Sequence, residues 1–239
     1  MRKIIKRFIS FFLIPTTRWY LRKERKYTYH GTTVTVLPGV FHPGLFYSTK
    51  FLIDHLAKQE LSNTSFLELG CGTGLISVIA AKAGASVTAS DLNSKAIQNV
   101  ELNAKQNQVV VRSIHSDLFD GIKKQTFDWI IINPPYYARR PETDEGLAWY
   151  CGENFEYFQK LFTSLGQYID DHSRVIMVLT KGSAVSEIER IGKGHHFDFT
   201  IIEENKVFFD EKDYLFRISS TEMPRKNENS SPEPISKRA

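Results

Sequence analysis

Phe66-Leu67-Glu68-Leu69-Gly70-Cys71-Gly72-Thr73-Gly74, running directly into Leu75-Ile76-Ser77-Val78-Ile79-Ala80, decides how this chain folds. A short apolar run breaks into alternating glycines, and an apolar helical pattern begins at once. Glycines at every second position let the backbone turn tightly and approach a ligand closely. The helix that follows offers its unpaired N–H groups at the same place. A strand, glycine loop and helix in that order belong to an open α/β sheet.

Working outward, the alternation continues. Strands are expected at Ser65–Leu69, Ser86–Ser90, Val109–Ile114, Phe127–Ile132, Arg174–Thr180, Phe197–Glu203 and Tyr214–Ser219. Helices are expected at Gly74–Ala83, Ser94–Gln106, Asn154–Ile169 and Ser183–Ile191. The pattern predicts an α/β fold: an open, mostly parallel, seven-stranded sheet with helices on both faces. Before it, Tyr27–Val36 reads as a hairpin turning at His30-Gly31. A turn-rich loop spans Pro38–Gly44, and Ser48 is the expected cap of a helix carrying Phe51, Leu52, His55 and Leu56. The chain therefore divides into a basic N-terminal helix (1–26), a hairpin and lead-in helix (27–60), a main domain (61–223) and a disordered tail (224–239).

Of the 239 residues, 41% are hydrophobic and 24% charged, which excludes wholesale disorder. A net charge of +4 does not by itself mark a nucleic-acid binder, but residues 1–30 hold nine cations and one anion. Ile4, Ile5, Phe8, Ile9, Phe11 and Phe12 share one helical face, and Arg2, Lys3, Lys6 and Arg7 fall on the other. Such a helix docks on the main domain, or contacts RNA, a ribosome or, as a peripheral alternative, an anionic membrane surface. Its apolar run, Phe8–Ile14, falls short of the roughly 20 residues a transmembrane helix needs. With no cleavage pattern after it, and only Cys71 and Cys151 as cysteines, the chain is expected to be cytoplasmic.

Three details bear on the ligand of the glycine loop. The loop reads G-x-G-x-G, so the dinucleotide fingerprint is incomplete. Glu68 would repel a diphosphate but suits a cofactor carrying an ammonium and a sulfonium. Asp91, about 20 positions on, is placed to accept both hydroxyls of a ribose. The fourth strand ends in Asn133-Pro134-Pro135-Tyr136, on the ligand side of the sheet. An amide or exocyclic amine nitrogen is planar and weakly nucleophilic. Asn133 and the Pro134 carbonyl can accept its two N–H groups and aim its lone pair, while Tyr136 lies against its flat face. The plainer alternative is a Pro-Pro turn with a local asparagine cap.

Phe66–Gly74 closely resembles the first motif of class I S-adenosylmethionine methyltransferases, which have a Rossmann-like fold. The resemblance implies S-adenosyl-L-methionine as cofactor, with Gly70 and Gly72 beside its methionine part and Asp91 on its ribose. Asp117, in His115-Ser116-Asp117-Leu118, matches the position that contacts the adenine amine. Glu68, Cys71, Gly74, Leu92, Leu118 and Asn133 complete the implied cofactor-binding set. The tetrapeptide is the signature of amino- and amide-directed methyltransferases, with Asn133, Pro134 and Tyr136 as the implied catalytic residues. Pro38–Pro43, Ser48–Leu52 and Ala148–Asn154 resemble stretches of the release-factor glutamine methyltransferases, although Gly44-Leu45-Phe46 stands where that family carries an acidic residue. The implied acceptor is a glutamine side chain in a release factor or ribosomal protein. The alternative is an exocyclic amine of RNA or DNA, and a third reading is a non-catalytic module binding RNA or a ribosome. Arg139 and Arg140 after the tetrapeptide suit phosphates or an acidic protein surface, or are solvated loop charge. No metal ligand set is expected: His195-His196 lacks the spacing of one.

Overall fold

Strand β3 (Ser65–Leu69) sends alternate side chains into two apolar layers, and the rest of the sheet follows it. The computed structural model describes residues 21–207 and 211–222. After the hairpin β1 (Arg25–Tyr29) and β2 (Thr32–Val36), the strands are β3, β4 (Ser86–Asp91), β5 (Val111–His115), β6 (Trp129–Ile132), β7 (Arg174–Thr180), β8 (Phe197–Val207) and β9 (Glu211–Ser220). The last seven form one sheet in the order β5-β4-β3-β6-β7-β9-β8. β9 runs antiparallel to both neighbours, and every other pairing is parallel. The chain winds one way from β3 and the other way from β6, so a crevice opens beyond the carboxyl ends of these two strands.

The helices are α1 (Tyr47–Leu56), α2 (Leu75–Lys82), α3 (Ser94–Gln106), α4 (Glu156–Leu165) and α5 (Val185–Gly194). Leu67, Leu69, Ile130, Ile132 and Met177 pack with α4 and α5 through Phe158, Leu161 and Ile188. Phe66, Trp129, Ile131 and Ile176 pack on the opposite face with Leu52, Ile53 and Leu75 of α1 and α2, and with Val34 of the hairpin. Side-chain alternation fixes the register: a slip of one residue in β3 would carry Glu68 away from Ser77 and into the α4/α5 layer.

Asparagines on α3 hold the hairpin. Asn103 Oδ1 accepts from Thr35 N–H at 2.8 Å and Asn99 Oδ1 from Leu37 N–H at 3.0 Å. Both amides donate to the Thr35 carbonyl, at 2.7 and 2.8 Å. These bonds satisfy buried backbone groups on the β2 edge, which would be costly left unpaired. Asn93 Nδ2 donates to the Gly39 carbonyl at 3.2 Å, and so the lead-in loop is drawn over the glycine loop.

Several boundaries differ from the sequence reading. Phe46, in an extended conformation, is the N-cap of α1, and no side chain caps it; Ser48 is buried inside the first turn instead. β5 starts at Val111 because Gln108 is left-handed (φ +57°) and Val109 N–H still bonds Ala104 O. α4 starts at Glu156, since Phe155 is left-handed (φ +59°). β1 begins at Arg25, inside the stretch assigned to the N-terminal helix. The amphipathic face of residues 4–12 and the tail after residue 223 lie outside the described residues. Among the described residues, no helix is long and apolar enough to cross a membrane.

Candidate active site

The crevice holds a cavity of about 330 Å³. Glu68, Gly70, Cys71, Gly72, Asp91, Leu92, Asp117, Leu118, Asn133, Pro134 and Tyr136 all line it. Gly74 stands behind it. There φ is +72°, and a Cβ would sit 2.7 Å from Val100 Cγ2, so this glycine lets the loop pack on α3. Gly70 is also left-handed (φ +74°), but a Cβ there would meet nothing within 4 Å. The space beside it is open and faces the cavity.

Backbone bonds set the loop on β4. Gly70 and Cys71 N–H both donate to Ser90 O, at 2.8 and 3.0 Å. Asp91 Oδ2 accepts from Gly72 N–H at 2.9 Å and Oδ1 from Asn93 N–H at 2.8 Å. The carboxylate is therefore held at the loop's edge, each oxygen keeping acceptor capacity for a further donor. Glu68 Oε2 accepts from the backbone N–H of Ser77 at 2.9 Å, and from its hydroxyl. It thereby satisfies an orphan donor in the first turn of α2. Burial pushes the Glu68 carboxyl up to about 8, Ser77 opposing and Asp91 adding to the rise. Burial likewise raises Asp91, and it raises the Cys71 thiol, which both acids push further. A cation placed beside two such carboxyls would favour their ionised forms.

Asn133 follows directly on β6, with its amide turned toward Thr49 of α1. Its Nδ2 donates to Thr49 Oγ1 at 3.3 Å, which leaves Oδ1 as the acceptor available to a ligand. Thr49 is buried and lines the cavity too. Beyond the tetrapeptide the chain makes a closed loop. Tyr137 N–H donates to Trp149 O at 3.0 Å, and Cys151 N–H returns to Tyr137 O at 3.0 Å. That closure brings Trp149 onto the lead-in phenylalanines, with ring centroids 4.6 Å from Phe46 and 5.4 Å from Phe41. The three rings form one aromatic wall of the cavity. Arg139 lies 5.2 Å over the Tyr150 ring and 3.5 Å from Glu142, on an exposed rim.

The family model for the methyltransferase small domain matches residues 31–151. The chain belongs to the methyltransferase small domain family. It is 30% identical over 141 residues to the ribosomal RNA large subunit methyltransferase G of Vibrio vulnificus, covering 56% of this chain and 35% of that one. It is 27% identical over 157 residues to the release factor glutamine methyltransferase of Streptococcus pneumoniae, covering 59% and 56%. A solved structure of a 16S rRNA methyltransferase from T. thermophilus, in complex with AdoMet and guanosine, superposes with a TM-score of 0.57 at 18% identity. That superposition covers 81% of this chain and 49% of the other, and it shows a shared fold. The chain spans 35% and 56% of the lengths of these two curated relatives.

Within this methyltransferase domain, several cavity residues have no site role assigned from the sequence, although Thr49 and Trp149 lie in the family-like stretches Ser48–Leu52 and Ala148–Asn154. Thr49, Phe46 and Trp149 come from segments remote from the glycine loop, and only the fold gathers them. His115 Nε2 meets the Leu92 carbonyl at 2.7 Å and fixes the backbone just after Asp91. Tyr157 and Lys160 reach the cavity from α4, whose sequence reads as an ordinary packing helix.

Proposed function

We propose that this chain binds S-adenosylmethionine in the crevice and methylates a planar nitrogen, foremost the side-chain amide of a glutamine in a translation-related protein. The observation that carries this reading is the orientation of Asn133: Thr49 takes its amide N–H, and its oxygen is left to the acceptor. The protein fits the cofactor on its own terms. Gly70 leaves open a cradle that a Cβ would enter, Glu68 and Asp91 supply a buried acidic pair, and the cavity continues to Asp117.

When bound, the cofactor supplies a methyl group activated by its sulfonium. The chain's own part is binding and orientation. Asp91 accepts from the ribose hydroxyls, and Glu68 sets a negative charge against the cationic end. Asn133 Oδ1 and the Pro134 carbonyl accept the two N–H groups of the acceptor and turn its lone pair toward the methyl group. Tyr136 and the aromatic wall cover its flat faces and exclude water. Such a mechanism works by positioning and fixed electrostatics. It requires no strong base before transfer, because the extra proton leaves the nitrogen only once it has become a cation.

The same two acceptors would serve an exocyclic amine of adenine or guanine in RNA. The wall of Phe41, Phe46 and Trp149, a surface on which a base can stack, supports this second reading. Methyl-labelled S-adenosylmethionine, incubated with the protein and an extract from cells lacking it, separates the two. Label in the protein fraction is expected; label in RNA alone would replace glutamine by a base amine, and label in neither would refute both.

A further inference from the structure

Helix α4 presents Glu156, Tyr157 and Lys160 to the cavity. Their spacing places all three on neighbouring turns of the helix. Lys160 Nζ donates to Asp117 Oδ2 at 2.6 Å and to Asp120 Oδ2 at 2.6 Å. Its side chain is 35% exposed, and those of the two acids are 46% and 63% exposed. Ion pairs this open contribute little to stability. Their consequence is geometric: one ammonium ties down one oxygen of Asp117 and leaves the other, Oδ1, as a fixed acceptor. The surrounding turn is just as constrained. Ser116 Oγ donates to the Leu118 carbonyl at 2.8 Å and accepts from Gly121 N–H at 2.8 Å, with Leu118 in a left-handed conformation (φ +53°). Tyr157 of the same helix lines the cavity together with Asp91 and Asp117.

We propose that Lys160 is a positioning residue for the base of the cofactor, holding Asp117 as a fixed anionic acceptor that selects an exocyclic amine over an oxo group. The proposal rests on the S-adenosylmethionine reading above and extends it to a residue on another helix. Without the ammonium, Asp117 and Asp120 repel each other, and Asp117 turns toward water. A base with an amine then loses its acceptor. A base with an oxo group at the same carbon no longer meets a fixed negative charge. Both changes act in one direction, erasing discrimination.

The experiment is calorimetric titration of the full chain with S-adenosylhomocysteine and with its inosine counterpart, which carries oxo in place of the amine. The unsubstituted protein is expected to favour the adenine compound at least about tenfold, the scale of a charge-assisted hydrogen bond. Lys160→Met should weaken the adenine compound about tenfold and bring the preference below about threefold. Lys160→Arg keeps two donors and should restore the preference; Asp120→Asn, which leaves the Asp117 pair in place, should not change it. The ratio of affinities is the decisive readout, because a merely structural lesion would lower both affinities together. Melting curves check that the Met variant folds, and Lys160→Gln stands in for it if it does not. A Met or Gln variant that keeps the original preference would overturn the proposal. If the unsubstituted protein bound neither compound, the cofactor reading itself would fall, and this inference with it.

Discussion

Replacing Glu68 by glutamine tests the electrostatics of the crevice directly. The substitution keeps an oxygen for the Ser77 N–H and hydroxyl but removes the ability to ionise. In the folded, cofactor-free protein the carboxyl titrates near 8, against an ordinary value of 4.5. A carboxyl raised on folding stabilises the fold fully below its unfolded pKa, and that contribution is lost as pH rises through the folded value. Between about pH 6 and pH 8 the loss comes to about 2 kcal/mol, at about 1.4 kcal/mol per unit. For a chain of this size that is a fall in melting temperature of about 4–8 °C. Asp91 titrates in both proteins, so the difference between the two curves isolates Glu68. Thermal unfolding of the cofactor-free protein should therefore show the unsubstituted chain falling away from Glu68→Gln across this window. A cation in the crevice favours the ionised carboxyl, so S-adenosylmethionine affinity should rise with pH in the unsubstituted chain and be flatter in the variant. Parallel melting curves from pH 6 to 8 would refute the reasoning, since Glu68 would then not titrate in that range in the folded state.

Three further substitutions bear on separate parts of the account. Gly74→Ala forces an L side chain into φ +72° against Val100 and should cost about 2–4 kcal/mol in urea unfolding, the sum of left-handed strain and overpacking; a loss under about 0.5 kcal/mol would contradict that packing. Thr49→Val removes the hydroxyl that receives Asn133 and should lower kcat about tenfold, a hydrogen bond's worth, while cofactor affinity holds; an unchanged kcat would deny Thr49 its positioning role. Asp91→Ala should weaken cofactor binding by at least about tenfold, as for a lost charged hydrogen bond, and an equal dissociation constant by calorimetry would remove Asp91 from the site.

The sheet and the glycine loop were legible because their signals are local. Apolar runs of strand length, alternating glycines and the acids beside them lie within a few residues of one another. The same holds for Asn133-Pro134-Pro135-Tyr136, which stands at the end of a readable strand. What stayed hidden depends on long-range contact. Thr49 meets Asn133 across 84 residues; the sequence sets it in the family-like stretch Ser48–Leu52 but shows nothing that links it to Asn133. Asn99 and Asn103 look like solvated helix polar residues until the β2 edge is laid against them, 62 to 68 residues away. Lys160 looks like an ordinary surface charge, and only the fold sets it on Asp117, 43 residues earlier. The boundary shifts at Val111 and Glu156 come from single left-handed residues, Gln108 and Phe155, that carry no glycine to announce them.

The most direct test of the central claim compares Asn133→Ala with the unsubstituted chain in two assays on the same preparation: calorimetric binding of S-adenosylmethionine, and transfer of its labelled methyl group to the acceptor found in extract. The account predicts cofactor binding within about threefold of the original, since Asn133 serves chiefly the acceptor, and a fall in transfer of at least about a hundredfold, the scale of one lost transition-state donor or acceptor. Transfer at the original rate would contradict it, because the nitrogen would then be held and aimed by something other than Asn133.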